Sequence, residues 1–158
     1  MGLFSKKPSH NAQDVRQMME PFLEMVYQIE GKASEVDQSS KEWVKEIQEV
    51  VSLIYVFNAS VTIEAKKLIG LLLDGKISTA AHHAAMQTFN LLSDQTDARL
   101  ADITQSLIDS GVSSKLGIEF FKNSWKRATE ISPIAMAELE KDMGGSTKWG
   151  WINETSWV

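Results

Sequence analysis

Apolar side chains recur at steps of three and four along residues 43–107. Trp43, Ile47, Val50, Ile54, Phe57, Val61, Ala65, Leu68 and Leu72 form one run. Ala85, Phe89, Leu92, Leu100, Ile103 and Leu107 form another, with Thr96 in phase between them. Such steps return to one side of a 3.6-residue helix, so each run predicts a long amphipathic helix whose stripe needs a partner. Asp74-Gly75-Lys76 separates the runs, and a glycine-containing break between two stripes predicts an antiparallel hairpin.

The same reading extends outward. Val15, Met18, Met19, Phe22, Val26 and Ile29 predict a helix from about residue 9 or 11 to 30, with Gly31 as its stop and Pro21 as a kink inside it. Ser39 and Glu42 have capping-box spacing, which starts the first long helix near Ser40. Ser78 is the expected N-cap of the second. Asn58-Ala59-Ser60 and Ser93-Asp94-Gln95-Thr96-Asp97 are polar interruptions. The first stripe steps from Phe57 to Val61 in phase, so that helix is expected to be continuous or mildly bent; the second run either breaks its helix in two or, in a continuous helix, puts Thr96 on the buried stripe. A fourth helix spans about residues 114–130, with Leu116, Phe120, Phe121, Trp125 and Ala128 inward. Ser132-Pro133 then restarts a last helix carrying Ile134, Met136, Ala137, Leu139 and Met143, closed by Gly144-Gly145.

The expected fold is an all-α antiparallel helical bundle of four to five helices, built on the central hairpin and followed by an aromatic tail. Its divisions are a leader at 1–9, the bundle at 10–145 and the tail at 146–158. The tail concentrates Trp149, Trp151, Ile152, Trp157 and Val158, three of the chain's five tryptophans among them. Tryptophans are frequent interface anchors, so these five residues are the candidate partner-binding set. Docking of the tail back over its own bundle is the simpler use of the same rings. Ser156-Trp157-Val158 also has the hydroxyl-any-aliphatic form of peptides that add a strand to PDZ domains, a pattern of low specificity.

Charge and composition narrow the function. The chain has 158 residues and a formal net charge of −5, a balance that argues against direct nucleic-acid binding. Cysteine is absent, which removes disulfides and thiolate chemistry and fits a cytoplasmic setting. Residues 50–63 are uncharged but number 14, short of the ~20 that span a bilayer, so a buried core helix is expected there. Leu3, Phe4, Lys6 and Lys7 give the leader an apolar tip and a basic end, enough for weak peripheral contact with a membrane or other apolar surface. Lys6 stands where N-myristoylation wants a hydroxyl residue.

Candidate chemistry is sparse. His82 and His83 are adjacent and point about 100° apart on a helix, so they do not clamp one ion, and no Glu-x-x-His pair occurs. Gly144-Gly145-Ser146-Thr147-Lys148 lacks the order of a phosphate loop, and no Gly-x-Ser-x-Gly elbow is present. Glu20 and Glu24 share a face beside the first stripe, where like charges suit a cationic partner or simply a solvated surface. Glu64 is expected to pair with Lys67. No catalytic, cofactor-binding or metal-ligating residues are assigned, and no cofactor is expected. The expected function is a non-enzymatic protein-interaction module of the adaptor, inhibitor or immunity type, with homo-oligomerisation as a second mode of association. The alternative is an amphipathic protein coating a lipid or storage-granule interface, its acidic balance counting against anionic membranes. An enzyme without a recognisable motif comes third.

Overall fold

A computed structural model describes residues 12–142 of the chain. These residues form five α-helices: α1 (Ala12–Glu35), α2 (Trp43–Leu73), α3 (Thr79–Asp109), α4 (Ser114–Ile131) and α5 (Pro133–Asp142). α2 packs against all four others. α1 and α3 pack on α2 and on each other, as do α4 and α5, so α2 lies between two helix pairs.

This placement explains why residues 50–57 lack the polar face of an ordinary surface helix. Val50, Val51, Ile54, Tyr55, Val56 and Phe57 are all buried, as is Ser52. A helix apolar all round is the one that others surround. The stripe predicted for α2 is buried at Ile47, Val50, Ile54, Phe57 and Leu68, while Trp43, Val61 and Leu72 are only partly covered. α3 buries all six apolar residues of its predicted run together with Thr96. Thr96 Oγ1 donates to the Ser93 carbonyl at 3.0 Å, so its hydroxyl is satisfied inside the helix. Both long helices are continuous, through Asn58 and through Thr96.

Aromatic rings join the layers. Phe22 of α1 meets Phe89 of α3 edge-on at 5.0 Å and Phe57 of α2 at 6.5 Å. Tyr55 of α2 lies 5.1 Å from Trp125 of α4. Ser52 Oγ, 2.8 Å from the Gln48 carbonyl and 3.0 Å from that of Ser124, lets α2 and α4 approach without an unsatisfied hydroxyl.

Two glycines end helices by the same device. Gly75 and Gly111 have φ of 70° and 83°. After α2, Gly75 N donates to the Leu72 carbonyl and Lys76 N to that of Leu71; after α3, Gly111 and Val112 donate to Ile108 and Leu107. These are Schellman closures, and the left-handed residue they need is one that glycine adopts without Cβ strain. Ser78 Oγ then accepts from Ala81 N and caps α3.

Four local expectations are corrected. α1 does not stop at Gly31 but runs to Glu35, because Ala33 and Val36 pack on the core and outweigh the ~1 kcal/mol cost of an interior glycine. α2 begins at Trp43, not near Ser40: Asp37 Oδ1 takes both the amide and the hydroxyl of Ser39, at 2.9 and 2.6 Å, and so removes the capping box. Leu116 is exposed, since the buried side of α4 centres on Gly117, Phe121, Ser124 and Ala128, about 100° round the helix from it. In α5 the buried residues are Ala135, Met136 and Leu139, which turns Ile134 and Ala137 outward. Pro21 lies inside an unbroken α1. The divisions drawn at residues 9 and 145, together with Met143 and the tail, lie outside the described residues.

Candidate partner-docking surface

The outward side of α1 leaves apolar groups in water beside carboxylates. Leu23 and Tyr27 are four residues apart and therefore neighbours on the helix surface; they are 46% and 75% exposed. With Gln17, Glu20, Pro21 and Glu24 they line an open depression of about 690 Å3. Leu23 also lines a second depression, of about 220 Å3, with Arg16, Met19, Ala84, Ala85 and Thr88 between α1 and α3. The two share Leu23 in their linings. Leu91, 71% exposed, lies on the same flank of α3 as Ala84 and Thr88, seven and three residues on.

The chemistry of this surface is an apolar centre with an acidic edge. Glu24 Oε1 accepts from Gln28 Nε2 at a long 3.4 Å, and among the described residues no ion pair holds Glu20 or Glu24. Pro21 adds a backbone feature: it has no amide hydrogen for the Gln17 carbonyl one turn back, and both residues border the depression. No protein-family model, curated protein or solved structure matches this chain.

Other polar clusters are already engaged. Glu30 Oε2 accepts from Arg99 Nε at 3.0 Å and from Nη2 at 2.5 Å, and Asp102 lies 3.8 Å from Nη1. The bonds to Glu30, above all, raise the Arg99 guanidinium above its ordinary value against the opposing effect of burial. This ion pair joins α1 to α3 beside a cavity of about 110 Å3 lined by Val36, Ile47, Val50 and Ile103. A second cavity, of about 320 Å3, carries Glu35, Glu46 and Glu49, with Lys32 beside them. Arg127 bonds Glu49 at 3.0 and 3.3 Å. Burial raises the Tyr55 hydroxyl above the usual phenol range. His83 is exposed and His82 half-buried, its Nε2 covered and without a hydrogen-bond partner. Among the described residues no three His, Cys, Asp or Glu side chains group as metal ligands. Glu64 pairs with Lys67 at 3.9 Å, as their spacing predicted.

Trp149, Trp151, Ile152, Trp157 and Val158 all lie outside the described residues. Conversely, Leu23, Tyr27 and Leu91 were passed over in the sequence because they fall between the core stripes. The available signal was apolar residues four apart on a helix's polar side, next to two like charges.

Proposed function

We propose that this chain is a non-enzymatic protein-interaction module, an antiparallel bundle that binds a partner through the outward side of α1 and its groove with α3. The observation that carries this reading is the pair of depressions that share Leu23. Exposed apolar anchors at their centre and carboxylates at their edge suit an amphipathic partner segment with apolar side chains flanked by Lys or Arg. The antiparallel arrangement is supported by the small cavity that groups Ile47 and Val50, near the start of α2, with Ile103 and Ser106, near the end of α3. The C-terminal set Trp149, Trp151, Ile152, Trp157 and Val158 supplies a second anchor in this reading. Its setting is the cytoplasm.

The test is capture from native lysate by the full chain, by Leu23→Asp/Tyr27→Asp, and by Lys122→Glu as an exposed control on α4. The double variant should lose a protein that the parent and control both retain, with its circular dichroism unchanged. Equal capture by all three would refute the docking surface. Loss of a second copy of the chain would assign the surface to self-association.

A further inference from the structure

Along the α1–α3 side the two helices run in the same direction and in step. Met19 and Leu23 share a depression with Ala84, Ala85 and Thr88. Further on, Phe22 meets Phe89 at 5.0 Å and Glu30 accepts from Arg99 at 3.0 Å. Glu20 of α1 therefore lies level with Gln87 and Thr88 of α3. Charge on this side follows the plan of an interface. Residues 77–93 contain no Asp, Glu, Lys or Arg, although they include the exposed Ala80, Ala84, Gln87 and Leu91. Charge depleted at the centre and kept to the edge is how a protein–protein contact is arranged. Uncharged as it is, α3 is not a span, since no helix among the described residues is long and apolar enough to cross a membrane.

α1 supplies the charged edge. Arg16, Glu20 and Glu24 are exposed and follow one another at four-residue steps along one side of the helix. Among the described residues no ion pair holds any of the three. About the level of Glu20 and Gln87 the features then fall into opposite pairs. The cation Arg16 lies one turn before that level on α1, and the carboxylate Glu24 one turn after it. On α3 the depression lined by Ala84 and Ala85 lies before the level, and Leu91, 71% exposed, lies after it. Each half of the surface thus carries what the other half would receive.

Resting on the reading of this side as the docking surface, we propose that its partner is a second copy of the chain. The copies pair α1 to α1 and α3 to α3, antiparallel, about a two-fold axis crossing both helices at the level of Glu20 and Gln87. That axis sets each Arg16 against Glu24 of the second copy, and each Leu91 over the second copy's depression at Ala84. Every contact is made twice, as a two-fold interface requires. The α1 of a second copy is itself an amphipathic segment whose apolar Leu23 and Tyr27 are flanked by an arginine, the chemistry the surface suits. A uniformly basic partner would meet Glu20 and Glu24 but leave Arg16 facing like charge, whereas a second copy meets both signs.

Sedimentation equilibrium of the purified full chain at low ionic strength, over a range of concentrations, tests this. The parent should be monomeric when dilute and dimeric when concentrated. Arg16→Glu and Glu24→Arg should each associate roughly tenfold more weakly, the least that losing close interfacial charge pairs costs. Mixed together, they should regain a dimer with one copy of each, because opposite charges then face each other at both ends. Ala84→Glu should abolish the dimer with an unchanged circular dichroism spectrum, its position being exposed, and Lys122→Glu on α4 should behave as the parent. A parent monomeric at every concentration, charge variants that dimerise like the parent, or a mixture that associates no better than its components would each overturn the pairing. A monomeric parent whose capture of a lysate protein is still lost in Leu23→Asp/Tyr27→Asp would overturn the second copy as partner and leave the docking surface standing. Equal capture by that variant would overturn both.

Discussion

Replacing Phe57 by alanine probes the centre of the fold. Phe57 is fully buried in α2, against which each of the other described helices packs, and its ring meets that of Phe22 at 6.5 Å. Losing the ring removes about 1.5–3 kcal/mol of transfer free energy. The cavity left behind adds to this, because neighbours on both sides of α2 relax only in part, and buried Phe→Ala changes cost ~3–5 kcal/mol altogether. The edge-on pair with Phe22 contributes towards the lower end of its ~0.5–1.5 kcal/mol range at this separation. A loss of about 4 kcal/mol is expected, a large share of the ~5–15 kcal/mol that holds a domain together. Urea denaturation followed by far-ultraviolet circular dichroism should show the midpoint fall by about 2 M if the slope is near 2 kcal/mol/M. Leu91→Ala, on the surface, should stay within about 0.5 kcal/mol of the parent. A Phe57→Ala loss below about 1 kcal/mol would refute the placement of α2 between two helix pairs.

Three further outcomes rest on local structure. Gly75→Ala should destabilise by about 1 kcal/mol, since a Cβ there meets no neighbour but the φ of 70° is strained for any L side chain; Gly31→Ala, in the interior of α1 with open space around it, should stabilise by a similar amount in the same denaturation assay. Asp97 is held above the ordinary carboxylate range by burial first and by Asp94 second. The folded chain therefore binds this proton more tightly than the unfolded one, and stability declines as pH rises from the ordinary value through the raised one. Asp97→Asn should raise the melting temperature at neutral pH, with the gain disappearing below that window; a gain independent of pH would refute the assignment.

Much of the fold was legible because α1, α2 and α3 carry periodic apolar stripes, and Gly75, Gly111 and Ser78 mark ends by chemistry that acts locally. The errors arise where a distant contact overrides a local signal. Gly31 reads as a stop, yet Ala33 and Val36 have core to cover. Ser39 reads as a cap, yet Asp37 reaches it first. Leu116 and Ile134 read as core, yet the positions of α4 and α5 on α2 rotate them outward. The docking surface was less legible still. Leu23 and Leu91 become parts of one surface only once α1 and α3 lie side by side, and helix pairing is not written in either helix alone.

The most direct test of the account is site-specific photocrosslinking in native lysate, with the photoreactive residue at Tyr27 on the docking surface or at Lys122 on α4. A protein crosslinked from position 27, absent from position 122 and displaced by the unlabelled chain is the expected result. The same products from both positions, or none from position 27, would contradict binding through α1.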